Sequence, residues 1–102
     1  MKYVMGWLRL RPGQREAFMV RVRPFVALSR TEPGVQVFEV NSSDSDAEMT
    51  VWTEIYDSEQ VHAVHQATPE HQALLTYIRT VAVGGRFIAI TPQSVKTDEF
   101  SF

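Results

Sequence analysis

Residues 29–56 read SRTEPGVQVFEVNSSDSDAEMTVWTEIY, and the order of signals in this stretch decides the fold. Glu32-Pro33-Gly34 stops the segment before it, because proline cannot extend a helix and glycine takes the sharp turn that follows. Val35 to Val40 then alternates, with Phe38 and Val40 on one face and Val35 and Val37 on the other. Met49 to Tyr56 does the same, placing Trp52, Glu54 and Tyr56 on one face and Val51 and Ile55 on the other. The polar run Asn41-Ser42-Ser43-Asp44-Ser45-Asp46 between them is a hairpin loop, so the two strands pair antiparallel.

Working outward, residues 2–11 alternate Val4, Gly6, Leu8 and Leu10 against Tyr3, Met5, Trp7 and Arg9. Both faces are largely apolar, as for a strand covered on each side. Pro12-Gly13 ends it. Phe18, Val22, Phe25 and Val26 form the stripe of an amphipathic helix to about Arg30, with a bend expected at Pro24, whose nitrogen cannot donate. After the hairpin, Asp57 or Ser58 can cap a short helix to about Gln66. Thr68 and Pro69 open another, striped by Leu74, Tyr77, Ile78 and Val81. Gly84-Gly85 is expected to end it, and Arg86 to Thr91 to be the last strand.

The order strand, helix, strand, strand, helix pair, strand predicts an α+β, ferredoxin-like split βαβ fold (βαββααβ) with an antiparallel four-stranded sheet. Helices cover one face of such a sheet and leave the other open. The apolar outer positions of the first strand call for a cover, and a second copy of the same sheet is the expected one, giving a homodimer with facing sheets. Phe100 and Phe102, in the tail 92–102, are expected to pack on that partner subunit.

The 102 residues make one domain, 1–102, with room for a single two-layer core. Apolar residues are 44% and charged residues 22%, ordinary for a globular protein. A net charge of -2 and scattered basic residues leave no electrostatic footprint for nucleic acid or anionic lipid. The third strand also lacks the basic-glycine-aromatic signature of an RNA-binding sheet. The absence of cysteine excludes disulfides, thiolate metal sites, Fe-S clusters and a cysteine nucleophile. Arg9 and Arg11 interrupt the N-terminus before a signal-peptide core is long enough, and no stretch approaches a membrane span, so a cytoplasmic location is expected.

Several ordered anchors over residues 12–78 resemble the antibiotic biosynthesis monooxygenase (ABM) family. Pro12-Gly13 opens the helix and Pro24-Phe25-Val26 falls midway. Ser29-Arg30-Thr31-Glu32-Pro33-Gly34 is similar to the family's S-R-x-E-P-G signature, and Glu54-Ile55-Tyr56-Asp57-Ser58 to its E-x-[WY]-x-[SD] strand end. His65 falls where the family places a histidine, followed by Ala67-Thr68-Pro69 for its small-Ser-Pro step. The resemblance implies a dimeric α/β barrel and oxygen chemistry. It departs from the family where a second histidine often stands five residues on: Glu70 is there, with His71 one step late. Haem-degrading branches need an Asn and an axial His at places that fall on Gly6 and Leu75, which argues against haem.

His65 shares a helical face with Val61 and Val64 and should point inward. There it is either a general base toward a phenolic substrate or a core histidine bonded to a carboxylate or carbonyl. Glu54, if buried among aromatics, has its pKa pushed up into the range of a proton shuttle; the bland alternative is an ion pair with Arg9 or Arg86. Trp7, Trp52, Tyr56 and Tyr77 are the remaining candidates for substrate contact, with plain core packing as the alternative for Trp7 and Tyr77. If Trp52, Glu54 and Tyr56 face the partner sheet instead, Val51 and Ile55 line the pocket. His62 is expected in solvent. No metal is assigned, since His62 and His65 share a face but His71 lies beyond a helix break. Glu32-Pro33-Gly34 is assigned to the fold.

No phosphate loop, Ser-His-Asp order or nucleophile elbow is present. The expected function is a cofactor-independent monooxygenase-like enzyme acting on a small aromatic, quinol or polyketide-like substrate. The alternatives are an isomerase or tautomerase of a small carbonyl compound in the same pocket, and a non-catalytic dimeric ligand-binding module.

Overall fold

In the computed structural model, which describes residues 1–102, the element order is β1 (Lys2–Leu10), α1 (Arg15–Ser29), β2 (Val35–Ser42), β3 (Met49–Tyr56), α2 (Glu59–Gln66), α3 (Pro69–Val81), β4 (Ala82–Ile90) and β5 (Val95–Ser101). The strands form one antiparallel sheet in the order β2-β3-β1-β4-β5. This is the ferredoxin-like α+β arrangement with one strand added. The expected four-stranded sheet is corrected to five, because residues 95–101 pair with β4 of their own chain.

A second correction concerns the start of β4. The helix ends at Val81 and the chain is extended from Ala82, so Gly84 and Gly85 lie inside the strand instead of terminating the helix. A side chain at Gly85 would meet the Trp7 carbonyl and the Phe100 ring, at 2.6 and 3.0 Å. These glycines let β1 and β5 close on β4.

The core lies between one sheet face and the helices. Val4 and Leu8 of β1, Phe38 and Val40 of β2 and Trp52 and Tyr56 of β3 meet Phe18, Val22 and Phe25 of α1 and Leu74 and Ile78 of α3. Helix α1 runs through Pro24, which sits on its exposed side, so the hydrogen bond that proline cannot make costs little in water. Ser58 caps α2 by accepting from the Val61 amide at 3.2 Å, and Thr68 caps α3 by accepting from the His71 amide at 3.2 Å. The other sheet face carries Tyr3 and Met5, which are exposed, with Trp7, Val51 and Ile55 half-buried. No helix is long and apolar enough to cross a membrane.

Candidate active site

The strand pattern puts Trp52, Glu54 and Tyr56 under the helices, and Val51 and Ile55 on the opposite sheet face. Above β3 a cavity of about 310 Å³ opens between sheet and helices. Leu8, Trp52, Glu54 and Phe87 form its floor, and Phe25 and Phe38 one wall. Its roof is His65, His71, Leu74 and Ile78. Toward the mouth stand Leu75 and Arg79 of α3, with Asp98, Phe100 and Phe102 from β5 and the residue after it. The tail aromatics therefore turn onto their own chain: Phe100 stacks on Phe87 and meets Phe102 at a tilt, with centroids 6.2 and 5.3 Å apart.

His65 is 1% exposed and its Nδ1 lies 2.9 Å from Glu32 Oε1. The turn delivers that carboxylate. Gly34 has φ +86°, and a Cβ there would meet Val61 Cγ2 at 2.7 Å, so only glycine lets the turn press against α2. With Nδ1–H donating to Glu32, Nε2 is the ring nitrogen left for other work. Phe38 and Phe25 pack on the ring, with centroids 5.2 and 5.5 Å away. Glu32, read from sequence as part of the fold alone, is thus also the residue that orients the histidine. Its place in the S-R-x-E-P-G run was the available signal.

Glu54 is 6% exposed. Its Oε1 accepts a short hydrogen bond from the Tyr56 hydroxyl. The expected arginine partners are engaged elsewhere, Arg9 with Asp46 at 2.9 Å and Arg86 with Glu99 at 3.7 Å. Burial pushes the Glu54 carboxyl up to about 7, while the Tyr56 hydroxyl and the charge of Lys2 hold it down. Burial raises Tyr56 as well, and Glu54 adds to the shift, so the phenol stays protonated and donates. Trp52 is fixed by its indole N–H donating to Thr50 Oγ1 at 2.9 Å, and that hydroxyl donates to the Leu8 carbonyl at 3.0 Å.

Two further histidines surround His65. His62, expected in solvent, is buried: the short α2 turns it under the end of β3, where its ring lies 4.5 Å from that of Tyr56. His71, 5.2 Å from His65 ring to ring, stands in the cavity roof despite its shift by one position. Burial lowers both to about 4, helped by Lys2 and then His65 at His62 and by His65 at His71. Both are neutral at pH 7. The Nδ1 atom of each is buried without a hydrogen-bond partner.

Of the residues singled out from sequence, His65, Trp52 and Glu54 come together on this cavity. Tyr56 stands behind Glu54. Trp7 lies on the opposite sheet face, with the Arg86 guanidinium 5.8 Å from its ring centroid. Tyr77 stacks on Phe18 at 6.1 Å under Arg21 and does not line the cavity.

The sequence model for "Antibiotic biosynthesis monooxygenase" matches residues 1–76. The chain belongs to the antibiotic biosynthesis monooxygenase family. ABM structures share its fold. A Nitrosomonas europaea protein provisionally described as an antibiotic biosynthesis monooxygenase superposes with a TM-score of 0.84 at 19% identity, covering 92% of this chain and 100% of that one. A Deinococcus radiodurans protein with the same provisional description gives 0.83 at 16% identity, over 89% and 91% of the two chains. Rv0793 from Mycobacterium tuberculosis gives 0.81 at 17% identity, over 89% and 93%. No curated protein sequence matches significantly. At these identities the structures establish the fold alone. The Phe87 ring occupies the space into which a larger residue at position 6 would grow.

Proposed function

We propose that this ABM protein is a cofactor-independent monooxygenase of a small aromatic, quinol or polyketide-like substrate. In this reading His65 Nε2 takes a phenolic proton, the electron-rich anion passes an electron to dioxygen, and the apolar cavity lets the radical pair recombine away from water. The observation that carries it is the placement of His65, held through Nδ1 by Glu32 in the roof of a cavity lined mainly by apolar side chains. A cavity of about 310 Å³ suits a planar molecule of one or a few rings. Trp52 and Glu54 are the substrate contacts supported by position, with Tyr56 acting through Glu54.

The open sheet face supports a homodimer with facing sheets. Tyr3 and Met5 are 43% and 39% exposed there beside Trp7, an apolar surface of the kind that subunits cover.

The test is an oxygen electrode with a panel of phenols and quinols. Oxygen uptake that needs substrate and is lost in His65→Ala supports the reading. Substrate conversion without oxygen uptake overturns it in favour of an isomerase, and binding without conversion in favour of a ligand-binding module.

A further inference from the structure

Oxidation of a phenol to a quinone by dioxygen needs two separate proton deliveries, one to the peroxide and one to the hydroxide that later departs from it. The overall change is phenol plus O2 to quinone plus water, with all four electrons coming from the substrate. His65 takes the phenolic proton, and after electron transfer and recombination a ring carbon bears a peroxide. Protonated His65 returns its proton to that peroxide, giving a hydroperoxide. The ring C–H bond must then break, its electron pair forming the carbonyl as the O–O bond cleaves. The hydroxide that leaves needs a proton as the O–O bond breaks, when His65 Nε2, again unprotonated, holds none to give.

We propose that Glu54 is the acid for this second step: its carboxyl protonates the departing hydroxide, and the ring proton lost from carbon replaces the one given up. The inference rests on the oxygen chemistry proposed above. Its ground is geometric. Glu54 is a buried carboxyl in the floor of the cavity that His65 roofs, with no cation in salt-bridge contact and the Tyr56 hydroxyl on Oε1. A carboxyl so placed holds a proton among largely apolar side chains, where a transfer is more effective than in bulk water.

The titratable groups around it are few. Tyr56 lies on the same strand and Lys2 on β1. His65 and His71 stand across the cavity, and Arg79 and Asp98 at its mouth. From β2 and β4 the cavity receives only phenylalanines, Phe38 and Phe87. Burial outweighs the Tyr56 hydrogen bond and the positive charge of Lys2 and pushes the carboxyl up to about 7.

The experiment compares wild type, Glu54→Gln and Tyr56→Phe with a phenol that supports oxygen uptake. Glutamine keeps the size and removes the transferable proton. In Glu54→Gln steady-state kcat should fall about 100-fold and an iodometric peroxide signal should accumulate in step with the oxygen consumed. Wild-type kcat with no accumulated peroxide overturns the assignment while leaving the oxygenase reading intact. Wild type that takes up no oxygen with any phenol overturns both. Infrared titration of wild type needs neither substrate nor a variant: a protonated-carboxyl C=O band should persist at pH 6 and bleach by pH 8. Its absence at pH 6 overturns the proposal whatever the substrate.

Discussion

The Tyr56 hydroxyl donates to Glu54, two residues back on the same strand and the same face of the sheet. That bond favours the charged carboxylate and so opposes the effect of burial. Tyr56→Phe therefore moves the Glu54 titration above about 7. Carbon-13 NMR of labelled glutamate carboxyls checks this, with an unmoved or lowered titration as the contrary result.

Stability should fall on mild acidification. His62 and His71 have folded pKa values of about 4, below the ordinary histidine value of 6.5, so the unfolded chain binds more protons between those limits and stability is lost as pH drops through them. Glu54 works in the opposite sense. Its folded value of about 7 lies above 4.5, so its contribution is greatest at low pH and is lost as pH rises through neutrality. Urea unfolding at pH 7 and pH 5 should show a less stable protein at pH 5. The difference should narrow in His62→Phe and widen in Glu54→Gln.

Gly34→Ala should cost roughly 1–3 kcal/mol, the scale of a residue held in a sparsely populated backbone region. Its φ of +86° disfavours any side chain, and the added methyl meets Val61. Because the same turn carries Glu32 to His65, the loss of stability should come with a change in the His65 imidazole signals in NMR. A silent, fully stable variant would contradict this account of the turn.

Removing either end of the His65–Glu32 contact should separate chemistry from orientation. His65→Ala removes the proposed base and should lower kcat by about 10²–10⁴-fold. Glu32→Gln keeps an acceptor for Nδ1–H, so its loss should be smaller than that of Glu32→Ala, with KM little changed in both. Equal losses in the two Glu32 variants would mean that the charge of Glu32 matters and its hydrogen bond does not.

Met5→Asp puts a charge in the middle of the outer sheet face, away from the cavity. If that face is the dimer interface, light scattering after gel filtration should show dimers for wild type and monomers for the variant, with far-UV circular dichroism preserved. A wild-type monomer at micromolar concentration would remove the homodimer from the proposal.

Much of the fold is local in origin and could be read locally. The alternation in β2 and β3, the caps at Ser58 and Thr68 and the break at Glu32-Pro33-Gly34 each act within a few residues, and they sit where the pattern puts them. Gly84-Gly85 misled because glycine marks two different things: a helix stop, and a place where neighbouring strands come close. Only the pairing partners on either side distinguish them. β5 is hidden in the sequence for a related reason. The run Val-Lys-Thr-Asp-Glu-Phe-Ser is mostly exposed and has little apolar alternation, so its strand character comes from the edge that β4 offers.

The site divides along the same line. That an indole, a carboxyl and a phenol would share one face of β3 was determined by the chain itself, since the strand period dictates which side chains face the same way. Tertiary packing alone decided which sheet face the helices cover, and with it that Trp52 and Glu54 meet the cavity while Trp7 does not. It also decided that Glu32 reaches His65, that His71 joins it and that His62 is buried. These relations join residues up to 33 positions apart, and no period in the sequence encodes a distance between elements that only the folded core brings together.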